Sequence, residues 1–306
     1  MKKDLLKMDD LSKEEILDIL NLADQLKYEQ KHDIEHHHLK GKSLGMIFEK
    51  ASTRTRVSFE VGMYQLGGNA LFLSDKELQI GRGEPIEDTA RVLSRFLQGI
   101  MIRTFSQKEV ETLAKYSSIP IINGLTDEEH PCQVLADLMT IRENKNILEG
   151  LNIAFIGDGN NMANSLIIGC LKVGMNFSIA SHEKYSISEK YLSRAKEIAE
   201  SENVNLTVTL SPLEAVKNAD VVITDVWTSM GHEEESQDRM QHFQGFQVNK
   251  ELLKNANDDV MVLHCLPCHR NEEITPDVLE EHAGEIFDES ENRLHAQKAV
   301  LVKLMN

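Results

Sequence analysis

Hydrophobic residues recur along the chain at two spacings, and their alternation predicts the order of the secondary structure. After Ser12 the spacing is helical, and Ser12 with Glu15 forms a capping box that starts the helix. Short apolar runs with little polar alternation follow, which is typical of strands buried on both faces. The predicted strands cover 44–48, 70–73, 100–102, 119–122, 153–156, 177–180, 206–210, 221–226 and 260–266. Further predicted helices cover 55–66, 85–98, 131–145, 161–173, 187–202 and 292–305.

The alternation of strands and helices runs through the chain twice. The first series ends near 137–150, in a segment with a helical rather than a flexible pattern, and the second series begins at the strand 153–156. Strands that alternate with helices predict a parallel sheet covered on both faces. The sequence therefore predicts an α/β protein with two domains, each a parallel sheet flanked by helices.

Composition and charge restrict the kinds of partner. The 306 residues are 41% hydrophobic and 27% charged, as in ordinary globular proteins, and no apolar run approaches the ~20 residues that span a bilayer. No export signal is visible, so a cytoplasmic protein is expected. The formal net charge of −17 argues against binding to nucleic acid or an anionic membrane. An anionic small substrate would need a local basic cluster.

Such a cluster follows the first predicted strand, where a helix begins. Ser52-Thr53-Arg54-Thr55-Arg56 combines hydroxyl and guanidinium groups with the free amides of a helix N-terminus, a combination that suits a phosphate group. The segment lacks the glycines and the Gly-Lys-Ser/Thr of a Walker motif. The alternative is a solvated, well-capped helix start.

Two further strand ends carry candidate side chains. Arg103 ends the strand 100–102, and His130-Pro131-Cys132-Gln133 opens the next predicted helix. His130 and Gln133 could both reach a carbonyl oxygen or an amide, while Pro131 suits a first helical turn. For the second segment an ordinary helix cap is an equally good interpretation.

The segment Gly157-Asp158-Gly159 begins like a dinucleotide-binding fingerprint but does not continue as one. Met162 occupies the third glycine position, and no acidic residue ends the next strand. The side-chain amides of Asn160 and Asn161 suit a zwitterionic amino acid better than a pyrophosphate.

Later strand ends carry an acid and a Cys-rich segment. Asp225 could bind an ammonium group, and Cys265 with Cys268 has CxxC spacing flanked by histidines. A zinc site would need a second pair of ligands at similar spacing, so we expect no metal there. For the run 36–38 of histidines, a solvated loop is expected rather than a metal site.

Four of these segments together resemble the signature blocks of the ornithine carbamoyltransferases, and they occur in the family's order. They are the blocks 52–56, 130–133, 225–231 and 264–267. The first block is shared with aspartate carbamoyltransferases, whereas Ser229-Met230-Gly231 and His264-Cys265-Leu266-Pro267 favour ornithine. Cys132, where relatives often have Thr, is a departure, and so is 268–270.

The resemblance implies a carbamoyl-phosphate-binding domain over 1–137, an ornithine-binding domain over 148–290, and a C-terminal helix, 291–306, that packs back on the first domain. It also implies transfer of a carbamoyl group from carbamoyl phosphate to the side-chain amine of L-ornithine, giving L-citrulline and phosphate in arginine metabolism. No cofactor and no metal are implied. Relatives are trimers with shared sites, so a homotrimer or a multiple of trimers is expected.

Site residues carry over by matching position. The implied carbamoyl phosphate contacts are Ser52, Thr53, Arg54, Thr55, Gln79 from a neighbouring subunit, Arg103, His130, Gln133, Cys265, Leu266 and Arg293. The implied ornithine contacts are Asn161, Asp225, Ser229 and Met230. The residues expected to take part in catalysis are Arg54, Arg103, His130, Gln133, Asp225 and Cys265.

Three alternatives remain open from the residues alone. The acceptor could be another amine, such as putrescine, acetylornithine or aspartate. The glycines at 157 and 159 leave room for a dinucleotide-dependent dehydrogenase. A non-catalytic protein that binds a phosphate ligand would use the same helix start.

Overall fold

The computed structural model describes residues 2–79, 82–229, 231 and 233–306. The chain divides into two compact units, one formed by 1–139 with 292–306 and the other by 140–291. The chain passes between the units within two helices, α5 (Pro131–Lys145) and α12 (Ala283–Met305). The three-part division into separately binding domains stays a prediction.

The first unit is built on a parallel sheet with strand order β2-β1-β3-β4. Its strands are β1 (Ser43–Phe48), β2 (Asn69–Ser74), β3 (Gly99–Arg103) and β4 (Ile121–Leu125). The helices before α5 are α1 (Lys13–Lys31), α2 (Thr53–Gln65), α3 (Ile86–Leu93) and α4 (Gln107–Tyr116). The central strands β1 and β3 are almost entirely buried, as their uninterrupted apolar runs predict.

The second unit is built on another parallel sheet, with strand order β7-β6-β5-β8-β9. Its strands are β5 (Asn152–Ile156), β6 (Asn176–Ala180), β7 (Leu206–Thr209), β8 (Val221–Thr224) and β9 (Met261–His264). Its helices before α12 are α6 (Asn161–Lys172), α7 (Glu189–Glu202), α8 (Pro212–Ala215), α9 (Ser236–His242), α10 (Lys250–Leu253) and α11 (Pro276–Glu281). The predicted α/β class, with two parallel sheets flanked by helices, is confirmed.

Each sheet buries its apolar strand residues against helices on its faces. In the first unit Ile47, Ile100 and Ile102 pack with Val110 and Leu113 of α4. The cost of exposing such side chains to water, about 25 cal/mol per Å² of apolar surface, holds the helices on the sheet. The loops at the strand ends therefore project from a rigid base.

Several local predictions hold. The capping box of α1 is formed, since Ser12 Oγ accepts a hydrogen bond from the amide of Glu15 and the Glu15 carboxylate accepts from the amide of Ser12. Helix α5 has the predicted bounds, 131–145. Among the described residues no helix is both long and apolar enough to cross a membrane.

Other elements differ from the predictions. The helix predicted over 85–98 ends at Leu93, where the hydroxyl of Ser94 donates to the carbonyl of Ala90 and a turn follows. The helix α4 was not predicted at all. The expected solvated loop at 36–38 is wrong for His36, which is buried and whose Nε2 lies 2.7 Å from Lys298 Nζ.

Candidate active site

The carboxyl ends of three strands in the first unit lie side by side. Arg103, the last residue of β3, is in register with Phe48 at the end of β1 and with Leu125 at the end of β4. The loops that follow, around 49–52, 104 and 126–130, therefore leave the sheet at one edge. In parallel α/β sheets this edge is where ligands bind.

Helix α2 begins at this edge with a fixed N-terminus. Ser52 is its N-cap, and its hydroxyl accepts a hydrogen bond from the amide of Thr55 at 3.1 Å. Thr53 is exposed, Ser52 and Arg54 are half-buried, and Thr55 is buried. The cap holds the first turn in place, so that the remaining free amides and the positive end of the helix dipole can face an anion.

Two buried guanidinium groups converge on the hydroxyl of Thr55. Arg293 Nη2 donates to Thr55 Oγ1 at 3.1 Å, and Arg103 Nη1 donates to the same atom at 3.5 Å. Arg293 is 3% exposed and comes from α12, whereas Arg103 is 8% exposed. Because Thr55 Oγ1 accepts from both cations, its own proton can be donated to a substrate oxygen.

Gln133 extends this cluster along α5. Its Oε1 accepts from Arg293 Nη1 at 2.5 Å, and its Nε2 donates to Asp137 Oδ1 at 2.8 Å. Both partners are buried with it. The structure thus brings together Thr55, Arg103, Gln133 and Arg293, which the sequence predicted as parts of one site.

His130 lies immediately before α5 and is 5% exposed. Burial is the main reason why the pKa of His130 lies well below its usual value of 6.5. The positive charges of Arg293, Arg103 and Arg54 lower this pKa further. His130 is therefore neutral near pH 7, and its ring can donate a hydrogen bond without carrying a charge.

Arg56 and Gln79 are exposed, unlike the buried residues of this site. Arg56, grouped with the phosphate-binding residues by its position in the sequence, is exposed; its Nε donates to Glu60 at 3.1 Å and its guanidinium lies 3.8 Å from the Phe72 ring centroid. Gln79 is also exposed, and its carbonyl accepts from the amides of Arg82 and Glu84. Its role in the site of a neighbouring subunit stays a prediction.

A second set of strand ends lies in the other unit. Thr224, at the end of β8, is in register with Ile156 of β5 and with His264 of β9. Asp225 follows at this edge, where its Oδ1 accepts from Cys265 Sγ at 3.1 Å and its Oδ2 from Asn160 Nδ2 at 2.9 Å. The carboxylate is thus held in one orientation at the carboxyl ends of the strands.

The contact to Asp225 comes from Asn160 rather than from its neighbour. Asn160 also caps α6, because its Oδ1 accepts from the amides of Met162 and Ala163. Asn161, the predicted ornithine contact, is buried at the first position of the helix. Its ligand role stays a prediction, whereas the part of Asn160 in orienting Asp225 was missed from the sequence.

His264 is held in one tautomer by its partners. Its Nδ1 accepts from the amide of Leu266 at 2.9 Å, so Nε2 carries the proton and donates to Glu273 Oε1 at 3.0 Å. Glu273 is fully buried and was not singled out from the sequence. These bonds fix the turn at Leu266, whose φ of 54° is left-handed, and with it the position of Cys265.

The backbone geometry after β5 requires two glycines. A Cβ at Gly159 would lie 2.3 Å from the amide nitrogen of Ile187, so only glycine fits against that backbone. Gly157 has a φ of 143°, a conformation that favours glycine. Asp158, between the two glycines, pairs with Arg239 at 2.6 Å, and Arg239 also donates to the carbonyl of Trp227. This geometry accounts for both glycines without a dinucleotide.

The remaining predicted residues are placed only in part. Ser229 is half-buried in the loop after β8, and Met230 lies outside the described residues. Asp225, His264 and Cys265 form a group whose possible ligand atoms lie within 4.8 Å of one another. Both ring nitrogens of His264 are already hydrogen-bonded, so the ring could bind a metal only by losing a partner. The expected absence of a metal stays a prediction.

Family models match nearly the whole chain. Residues 3–143 match the model described as aspartate/ornithine carbamoyltransferase, carbamoyl-P binding domain, and residues 149–304 match the Asp/Orn binding domain of the same family. The chain is 55% identical over 303 residues to the ornithine carbamoyltransferase of Anoxybacillus flavithermus, covering 99% of this chain and 96% of that protein. It is 52% identical over 303 residues to that of Bacillus subtilis, covering 99% and 94%.

Solved structures give the same picture. The ornithine carbamoyltransferase from Pyrococcus furiosus is similar with a TM-score of 0.95 and 50% identity, covering 99% of this chain and 97% of that chain. The anabolic ornithine carbamoyltransferase from Campylobacter jejuni is similar with a TM-score of 0.94 and 42% identity, covering 99% and 98%.

The lowered pKa of His130 should make stability depend on pH. In the unfolded chain the imidazole takes up a proton below about pH 6.5, whereas in the folded chain it stays neutral to a lower pH. The free energy of unfolding should therefore fall with decreasing pH below about 6.5, by up to about 1.4 kcal/mol per pH unit from this residue. His130→Gln should remove that part of the slope.

The measurement is urea unfolding of both proteins between pH 5 and 8, with replacement of the exposed His38 by Gln as the control. If His130→Gln leaves the slope below pH 6.5 as steep as before, His130 is not held neutral.

Proposed function

The chain belongs to the aspartate/ornithine carbamoyltransferase family, and on that premise we propose that it transfers the carbamoyl group of carbamoyl phosphate to the side-chain amine of L-ornithine. The products are L-citrulline and phosphate. The observation that carries the proposal is the convergence of Arg103 and Arg293 on Thr55 beside the capped start of α2. The reaction would take place in the cytoplasm as a step of arginine metabolism, either in arginine synthesis or in arginine breakdown.

The departing phosphate requires stabilisation of its charge. Arg54, Arg103 and the first turn of α2 supply positive charge and amide donors in a fixed arrangement, and such preorganised groups need no rearrangement as charge develops. The chain as a whole has a formal net charge of −17, so this local cluster is what would attract an anionic donor. Arg293 of α12, which is itself held by Gln133 and Thr55, would also bind the carbamoyl phosphate.

The carbonyl of the carbamoyl group requires polarisation. His130 would donate a hydrogen bond from its neutral ring, and Thr55 would donate the proton that its two guanidinium neighbours leave available. Arg103 adds positive charge beside both. Together these groups would favour the oxyanion that forms when the amine attacks the carbonyl carbon.

The ornithine amine must lose a proton before it attacks, since such amines titrate near ~10. Asp225 is fixed by Cys265 and Asn160, and this carboxylate could bind the incoming ammonium group and position it. Guanidinium groups near a bound substrate would favour its uncharged form. The first proton would pass to Asp225 or to water. When the neutral amine attacks, its nitrogen becomes positively charged, and the departing phosphate could accept the second proton as its bond to the carbonyl carbon breaks, so the proposal calls for no metal or organic cofactor.

Ornithine is proposed over other amines because the related enzymes of Anoxybacillus flavithermus, Bacillus subtilis and Pyrococcus furiosus are named for it. A direct test offers carbamoyl phosphate with ornithine, putrescine, N-acetylornithine or aspartate and measures each carbamoylated product. Citrulline should form fastest. Faster product formation with another amine would reassign the acceptor, whereas binding of carbamoyl phosphate without any product would leave only a phosphate-ligand binding protein.

Arg54→Ala should lower kcat/KM for carbamoyl phosphate by about 10²–10³-fold, the usual loss when a preorganised donor is removed. Arg56→Ala is the matched control, because this side chain is exposed and pairs with Glu60. It should change kcat/KM by less than about threefold. Steady-state citrulline assays and circular dichroism of both variants give the comparison, and equal losses in the two would contradict the assigned phosphate site.

Cys265→Ala should act on the acceptor, because it removes the thiol that donates to Asp225. We expect KM for ornithine to rise roughly 10-fold, in line with the ~1.5–3 kcal/mol of a hydrogen bond to a charged group, and the pH profile to shift. Cys265→Ser, which keeps a donor, should lose less. Cys268→Ala is the control, since Cys268 packs against an apolar core cluster of the second unit. An unchanged ornithine response and pH profile in Cys265→Ala would argue against this role.

A homotrimer, or a multiple of trimers, is proposed for the assembly. The edge strand β2 exposes Leu71 and Phe72, and the neighbouring α2 exposes Val57. An apolar surface on an edge strand is usually covered by another chain. In a trimer with shared sites, Gln79 would reach the site of the adjacent subunit.

The mass in solution should therefore be about three times the 34.6 kDa of the chain, measured by light scattering. Mixing two inactive variants, Arg54→Ala and Gln79→Ala, under conditions of subunit exchange should restore activity, because some sites then combine wild-type residues from both chains. No recovery, despite proven exchange and inactivity of each variant alone, would refute sharing through Gln79.

A further inference from the structure

Gln297 lies one helical turn after Arg293 on α12 and on the same face of the helix. Its side chain is fully buried. A buried carboxamide needs partners for both its oxygen and its NH₂ group. The partners of Gln297 are a guanidinium on one side and a serine hydroxyl on α2 on the other.

The chemistry of these partners fixes the orientation of the carboxamide. With its oxygen toward Arg293, Gln297 accepts from Nη2 at 3.0 Å and from Nε at 3.2 Å, while its NH₂ group donates to Ser58 Oγ at 2.5 Å. The opposite orientation would set the NH₂ group against a guanidinium, which has donors only. The amide oxygen therefore faces Arg293.

The hydroxyl of Ser58 continues the chain of hydrogen bonds. It accepts from Gln297 and uses its single proton to donate to the carbonyl of Arg54 at 2.7 Å. Arg293 is thereby connected through Gln297 and Ser58 to the backbone of Arg54. The side chain of Arg293 is thus linked by a continuous hydrogen-bonded path to the turn of α2 that carries Arg54.

The guanidinium of Arg293 is held on three sides. Nη1 donates to Gln133 Oε1, Nη2 to Thr55 Oγ1, and Nη2 with Nε to Gln297. The first two acceptors belong to residues expected to contact the substrate. Gln297 belongs to neither the predicted carbamoyl phosphate contacts nor the predicted ornithine contacts. Its amide oxygen accepts from Nη2 and Nε together and so fixes the plane of the guanidinium.

We propose that Gln297 is a positioning residue for carbamoyl phosphate, which orients the Arg293 guanidinium and, through Ser58, ties it to the turn that carries Arg54. The inference rests on the proposed function of this site. Misplacing a charged group by about an ångström weakens its interaction with a bound phosphate, and a buried guanidinium that loses an acceptor reorients to find another. Loss of Gln297 therefore acts on the donor substrate.

The test replaces Gln297 by Met, which keeps the volume and removes both hydrogen bonds. KM for carbamoyl phosphate should rise about 10-fold, while KM for ornithine stays within about twofold. Binding of inorganic phosphate, measured by calorimetry, should weaken in parallel. Ser58→Ala, a smaller change that breaks the same path, should raise KM for carbamoyl phosphate in the same direction.

Gln65→Met is the matched control. Gln65 is also a carboxamide that joins α2 to α12, since its Oε1 accepts from Lys298 Nζ at 3.0 Å, but this contact does not involve Arg293. The control should leave KM for carbamoyl phosphate and the affinity for phosphate unchanged. A purely structural role of Gln297 predicts loss of thermal stability in both variants without this selective effect on the donor.

The proposal is overturned if Gln297→Met binds phosphate and carbamoyl phosphate as the parent protein does, or if Gln65→Met shows the same rise in KM. The proposed function has a separate readout. If the parent forms no citrulline, that function fails, while phosphate calorimetry on the parent, Gln297→Met and Gln65→Met still decides whether Gln297 orients Arg293.

Discussion

Burial of the Arg293 guanidinium is the constraint on which the first unit's site depends. A guanidinium carries five N–H donors and cannot give up its charge, so a buried guanidinium needs hydrogen-bond acceptors around it. The named acceptors are uncharged: the oxygens of Gln133, Thr55 and Gln297. These acceptors hold the guanidinium in place. Its positive charge lowers the pKa of His130 and would attract a phosphate.

The second unit arranges the opposite charge in the same way. Asp225 is oriented by neutral donors, from Cys265, Asn160 and the amide of Val226, and these bonds hold its carboxylate in place without adding a positive charge. An anionic donor substrate and a cationic amine thus correspond to oppositely charged groups at the strand ends of different sheets. The proposed reaction needs both substrates, and each sheet supplies the charge that one of them requires.

Local patterns in the sequence predicted much of the fold. Uninterrupted apolar runs located the central strands, and the Ser12 capping box located the start of α1, because both depend on residues a few positions apart. Helix α4 was missed although Ser106 caps it and Val110 and Leu113 are buried at helical spacing. The burial of His36 could not be predicted, since its partner Lys298 lies far away in the sequence.

The sequence by itself determined which chemical groups stand at the strand ends: hydroxyl and guanidinium groups at 52–56, His130, Asp225 and Cys265. Only the tertiary structure decided which of them meet. Thr55 and Arg293 are separated by 238 residues, and their contact exists because α2 and α12 pack in the same unit. In the second unit, Asn160 and Asp225 are 65 residues apart and likewise meet only because of the fold. Spacing along a chain fixes local periodicity, whereas the pairing of distant side chains follows from how the buried surfaces of helices and sheets fit together.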